Sequence, residues 1–163
     1  MMDKAENKIL VNGPNSGCYV KSAGNLYREV INGEQTDGQF SLIESIIEPG
    51  QGGPFHTHAN EQESFLVLSG TLTIFDGSDR YDATPGTFVF CPPDTLRGFR
   101  NETDERVKVL ILYTPPGIEK MIQMEGEVLN SAEDFNFEAT EQSFTCPRLN
   151  KAFGIVEDSR PLP

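Results

Sequence analysis

The stretch that decides the fold runs from Gly50 to Gly70 and reads GQGGPFHTHANEQESFLVLSG. It contains both histidines of the chain, His56 and His58, and Glu63 follows after the turn Ala59 to Gln62. In an extended strand, side chains two positions apart leave on the same face. His56 and His58 therefore share a face, and Glu63, opening the next apolar run, can return to the same spot. Two imidazoles and a carboxylate on one face suit a first-row divalent metal with positions left open for a substrate. An isolated His-x-His pair would say little. Here the glycines at 50 and 70 and the flanking strand pattern agree with it.

Outward from this stretch the chain reads as short extended runs between turn signals. Phe40 to Ile47 (FSLIESII) stops at Pro49-Gly50, and Phe65 to Leu68 (FLVL) stops at Ser69-Gly70. Thr71 to Phe75 (TLTIF) alternates and ends at Asp76-Gly77, a strong hairpin signal between two extended runs. Thr87 to Cys91 (TFVFC) and Val107 to Tyr113 (VKVLILY) end at Pro92-Pro93 and Pro115-Pro116. Short strands at this spacing indicate a sandwich or barrel rather than βαβ units. The last third differs. Ile118 to Val128 has helical character, and Pro147 opens a second short helix with Leu149 and Phe153 on one face and Gly154 closing it. Ser131 to Thr140 is polar and acidic, and is expected to lie over the barrel or reach a neighbouring subunit.

Composition bounds the partners. A chain of 163 residues is expected to form one domain with a core of its own. Its net charge of -12 argues against nucleic acid and against anionic membrane, since both call for a basic patch. The longest apolar run, Val109 to Tyr113, is too short to span a bilayer. The opening MMDKAENKILVNGP lacks the long apolar region of a signal peptide, and Cys18, Cys91 and Cys146 are widely spaced with no CxxC. Both features lead to the expectation of a cytoplasmic protein.

The spacing Gly50, His56, His58, Glu63, Gly70 matches the first motif of the cupin family in full. Gly86 to Asn101 (GTFVFCPPDTLRGFRN) resembles the second, with Gly86, Pro92 and Asn101 in place. Two positions depart: Asp94 stands where the family has glycine, and Arg97 where it has the remaining metal histidine. Tyr27 to His58, Glu63 to Gly70 and Thr114 to Met121 (TPPGIEKM) resemble the small bacterial cupins described as quercetin 2,3-dioxygenase-like. The resemblance implies an all-β fold, a double-stranded β-helix or jelly-roll barrel with short C-terminal helices, and a homodimer. It also implies a pocket with a divalent transition metal (iron, manganese, nickel or zinc) on His56, His58 and Glu63. Glu63 would be a ligand, or the base that takes a proton from a substrate hydroxyl. The expected layout is an N-terminal arm over 1–20, the barrel over 21–117, and a helical extension over 118–163 on the barrel or a partner subunit.

Arg97 decides how far this carries. A guanidinium stays protonated and cannot ligate a metal. Paired with Glu63, it would take the place of the metal's charge. Swung to the mouth, it would hold a substrate carboxylate or phenolate beside a three-ligand metal. In a shifted register it would face solvent. The readings in play are a dioxygenase-like enzyme acting on a small hydroxylated or aromatic compound, with Glu63 and Arg97 catalytic, a metal-free binding module or sensor, and a metal-free isomerase or cyclase. Phe65, Phe88, Arg97 and Phe99 are expected to line the substrate pocket. Glu61, a turn carboxylate, is expected to face water, Cys91 to be an inert buried thiol, and Gly52-Gly53 to be a loop.

Overall fold

The computed structural model describes residues 8–138 and 146–163. Strand β10 (Val107–Thr114) lies inside the larger sheet, hydrogen-bonded to a strand on either side. Val107, Val109, Ile111 and Tyr113 point inward, and Lys108, Leu110, Leu112 and Thr114 point outward. The other strands are β1 (Tyr19–Ser22), β2 (Asn25–Ile31), β3 (Ser41–Ile47), β4 (Gly52–His58), β5 (Gln62–Ser69), β6 (Leu72–Phe75), β7 (Arg80–Ala83), β8 (Phe88–Cys91), β9 (Arg97–Arg100), β11 (Glu127–Leu129) and β12 (Ile155–Glu157).

They form two antiparallel sheets, ordered β11-β1-β2-β3-β10-β5-β8 and β12-β4-β9-β6-β7. This is the expected all-β, double-stranded β-helix architecture. The core lies between the sheets, around Ile43, Phe65, Val67, Leu72, Phe99, Val109 and Ile111. Register stacks the inward residues in layers. Ser41, Tyr113, Glu63 and Cys91 cross four strands as a polar layer, and Ile43, Ile111, Phe65 and Val89 form the apolar layer beside it. The Asp76-Gly77 signal does mark a hairpin, between β6 and β7, with a loop closed by Asp79 N–H donating to Asp76 Oδ1 at 3.0 Å.

Gly52 and Gly53 are not a loop but the first residues of β4. A Cβ on Gly52 would collide with the Phe99 carbonyl, and one on Gly53 would meet the Phe99 ring at 2.7 Å. The pair lets β9 approach closely enough to seat Phe99.

The C-terminal part holds the two expected helices, α1 (Ile118–Glu125) and α2 (Pro147–Phe153). Gly154 takes the left-handed conformation that ends α2, at φ 70°. Glu119 ties α1 down: its carboxylate accepts the Gly117 N–H at 2.7 Å and the Gly33 N–H at 3.0 Å. Ile118, Met121 and Leu149 enter the barrel core. The same stretch also supplies two strands the periodicity did not reveal. β11 pairs with β1, and β12 pairs with β4, the histidine strand. Residues 131–138 run largely exposed, and the last two residues of the acidic stretch 131–140 lie outside the described residues. No helix among the described residues is long and apolar enough to cross a membrane.

Candidate functional site

β4 turns Phe55 and Thr57 away from the barrel and His56 and His58 into it. Phe55 joins Phe75 and Leu162 in a small second core on the outer side of the sheet. The two imidazole centroids are 5.0 Å apart, with the rings inclined at 64°. Glu63, near the start of β5, reaches the same point. Its Oε2 is 3.7 Å from His56 Nε2 and 3.5 Å from His58 Nε2. The ligand atoms of the three side chains all lie within 4.8 Å of one another.

These separations bear on a metal. Direct hydrogen bonds would bring the atoms to about 2.8–3.0 Å. Two donors each about 2.1 Å from a tetrahedral ion stand roughly 3.4 Å apart. The observed spacing fits the second case. The remaining ring nitrogens are also engaged. His56 Nδ1 lies 2.7 Å from the Pro54 carbonyl oxygen, and His58 Nδ1 lies 3.4 Å from Glu61 Oε2. Both acceptors favour the tautomer with hydrogen on Nδ1, leaving the Nε2 lone pairs aimed at the shared point. The residues present therefore fit a divalent metal.

Glu61 does not face water as a turn carboxylate would. It is only 5% exposed and lies behind His58. The pairing needs the chain to fold back from His58 into β5, which sequence spacing alone did not reveal.

Arg97 is 1% exposed, so the solvent-facing arrangement is not what the fold adopts. Its Nε donates to Glu63 Oε2 at 3.0 Å and its Nη1 donates to the Thr95 carbonyl at 2.6 Å. This is the Arg97–Glu63 pair of the first arrangement. Tyr113 donates its hydroxyl to the other carboxylate oxygen, Oε1, at 2.9 Å. Glu63 is thus gripped at both oxygens while Oε2 still faces the histidines. Burial by itself would raise the Glu63 carboxyl pKa. His58, His56 and Arg97 outweigh burial and hold it well below the usual carboxylate range. A carboxylate held this firmly suits a ligand better than a proton acceptor. Burial and the neighbouring Glu63 charge push the Tyr113 hydroxyl well above its ordinary value, so it remains a donor. Cys91 is pushed up to about 11 by burial and the Glu63 charge, partly offset by Arg97, in keeping with an inert thiol.

The triad opens on a cavity of about 110 Å³, lined on its apolar side by Tyr27, Phe99, Ile111, Ile118, Met121 and Ile155. Of the four residues expected there, only Phe99 lines it. Phe65 is fully buried beneath the floor, with its ring centroid 5.4 Å from that of Phe99. Phe88 is 59% exposed, because the strand phase that turns Val89 and Cys91 inward turns Phe88 and Phe90 out. Arg97 sits behind Glu63, outside the lining. Sequence reasoning did not anticipate Tyr27, Tyr113, Glu125 or Glu157 at this site. Tyr113 carried a signal, the inward phase of β10. Glu157 carried none, since its place depends on β12 joining β4.

Comparisons with known proteins agree with this barrel. Residues 43–113 match the family model described as Cupin domain. The chain is 28% identical over 116 residues to quercetin 2,3-dioxygenase of Bacillus subtilis (strain 168), covering 71% of this chain and 33% of that protein. The chain thus spans about one third of the length of that relative. Among solved structures, a predicted oxalate decarboxylase from Thermotoga maritima superposes with a TM-score of 0.57 at 14% identity, covering 65% of this chain and 97% of that one. The polyketide cyclase RemF from Streptomyces resistomycificus superposes with a TM-score of 0.54 at 21% identity, covering 65% and 78%. At these identities the structures speak for the fold alone. The two-histidine motif, the double-stranded β-helix and the family match together identify a cupin domain over residues 43–113.

Proposed function

We propose that this cupin-domain protein is a metal-dependent enzyme acting on a small hydroxylated or aromatic compound, in the manner of the dioxygenase it partly resembles. The observation that supports it most is the convergence of His56 Nε2, His58 Nε2 and Glu63 Oε2 on one cavity wall, with both Nδ1 atoms engaged behind them. A bound iron, manganese, nickel or zinc ion would supply Lewis acidity there and, where redox-active, the electron transfer that dioxygenase chemistry requires. The chain's own residues do the rest. Tyr113 and Arg97 fix Glu63, Arg97 as a positioning residue, and Phe99 with the α1 side chains excludes water around the ligand. The small cavity, well under the roughly 300–1,000 Å³ of pockets for drug-sized molecules, favours a ligand of about one ring.

A second reading rests on the buried Arg97–Glu63 pair, which neutralises Glu63 without a metal and suits a metal-free binding module. Metal analysis of protein purified without chelators separates the two. The enzyme reading expects near-stoichiometric transition metal, lost in His56→Ala. Background metal in the wild type would leave the binding module standing.

We further propose that the protein is a homodimer joined through the outer face of the larger sheet. Leu66 lies between Leu110 and Phe88 in register there, and Leu68, Phe88 and Phe90 are exposed at 41%, 59% and 53%. An apolar surface of this extent on a chain of net charge -12 is where two like-charged copies can approach with least repulsion. Light scattering after gel filtration is expected to give a dimer for the wild type and a monomer for Phe88→Lys/Phe90→Lys. A dimer that survives the double substitution would place the contact elsewhere.

A further inference from the structure

The phenol of Tyr27 lines the cavity, and its hydrogen bonding is incomplete. Tyr27 lies on β2 and packs against the barrel core. Its oxygen accepts a hydrogen bond from Asn25 Nδ2 at 3.3 Å, and the same Nδ2 donates to the Gly52 carbonyl at 3.1 Å. A backbone carbonyl only accepts, so Gly52 fixes which end of the Asn25 amide stands there. Asn25 is fully buried, and its amide nitrogen has one hydrogen for each of the two oxygens. Toward Asn25 the phenol is therefore an acceptor, and its own O–H must find a partner elsewhere. Among the described residues none accepts it, and the apolar lining of Phe99, Ile111, Ile118 and Met121 has no side-chain acceptor to give.

The phenol is also set apart from the triad. Asn25 ties it to Gly52, the first residue of β4, while His56 stands further along that strand, up to about 13 Å away at full extension. Burial pushes the Tyr27 pKa up to about 12, against the lowering by Asn25 and with the Glu63 and Glu125 charges, so the group is a donor at neutral pH. We propose that Tyr27 determines specificity: its O–H donates to an uncharged acceptor oxygen, a carbonyl or an ether, on a ligand whose other end meets the triad. The inference rests on the metal-site reading above and names a second group that its ligand must carry.

Two physical points support it. A buried donor without an acceptor is costly, and a ligand oxygen removes that cost. A site that donates to a ligand oxygen also discriminates against the analogue lacking it, because the donor is then left unpaired. Asn25 prepares the phenol for this task by holding its oxygen from behind while leaving the hydrogen free.

The test uses zinc-loaded full-length protein with 3,4-dihydroxyacetophenone and 4-ethylcatechol. The two probes share a ring, a pair of adjacent hydroxyls and a two-carbon substituent, and differ in the carbonyl. Each is compared with itself in wild type and Tyr27→Phe, so their different acidities cancel. Calorimetric titration is expected to show the ketone weakened about three- to tenfold by the substitution, and 4-ethylcatechol weakened by no more than about twofold. The carbonyl stretching band of the bound ketone is expected at lower frequency in wild type than in Tyr27→Phe. An unchanged thermal midpoint shows that the variant folds. If it does not, the wild type alone decides: a band no lower than that of the ketone's own zinc complex in an aprotic solvent overturns the inference. Equal losses for both probes, or no loss for the ketone, overturn it too. In those results 4-ethylcatechol still binds the wild type, so the metal-site reading stands. Failure of both probes to bind the wild type overturns both.

Discussion

Glu63→Gln is expected to lower the unfolding free energy of the metal-free protein by about 3–5 kcal/mol. The substitution keeps the shape and removes the charge. Arg97, 1% exposed, is then left with a buried positive charge and only neutral acceptors around it. Tyr113 loses an ionised acceptor at the same time. At roughly 2–4 °C per kcal/mol for a chain of this size, the melting point should fall by on the order of 10 °C. The double variant Glu63→Gln/Arg97→Met should recover much of the loss, because replacing both members of a buried pair costs far less than removing one. The pH dependence has a definite sign. The folded-state pKa of Glu63 is depressed, so its contribution is present above the ordinary carboxylate range and lost as pH falls below it. The gap between wild type and Glu63→Gln should therefore narrow on acidification. A loss under about 1 kcal/mol at neutral pH would show that the pair is solvated and worth no more than a surface ion pair.

Arg97→His is expected to move two quantities in opposite directions. The guanidinium donates to the carboxylate oxygen that faces the histidines and places a fixed positive charge beside the proposed ion. Removing it lifts that repulsion, and position 97, directly opposite His56 in the strand register, then offers a fourth nitrogen. Metal affinity should rise by about 10–100-fold or more. Without metal, Glu63 loses its buried partner, so the apo variant should be destabilised by a few kcal/mol. Added metal then restores stability in proportion to its binding. Competition titration with a chromophoric chelator and thermal denaturation with and without zinc read both effects. Equal affinity in wild type and variant would mean that Arg97 does not compete for Glu63, and the three-ligand site would be complete as it stands.

Much of this was legible in the chain, for reasons that are local. The spacing of His56, His58 and Glu63 follows from strand periodicity and one turn. The five apolar runs all became strands, because alternation and bounding prolines and glycines act over a few residues. Pro147 and Gly154 marked α2 at both ends. Phe88 shows the limit of the same logic. Phe88 to Cys91 (FVFC) is apolar throughout, so its composition does not say which phase faces inward. The pairing of β8 with β5 settled that, turning Cys91 toward Glu63 and Phe88 to the surface.

The sequence by itself determined the barrel and the two-histidine, one-carboxylate set, because strand period and turn chemistry are short-range properties. The tertiary structure alone decided what surrounds that set. It buried Arg97 against Glu63, placed Glu61 behind His58, and brought β12 from nearly a hundred residues away to set Glu157 opposite His56. Those contacts depend on which strands become neighbours, and that is fixed by burying the whole core together.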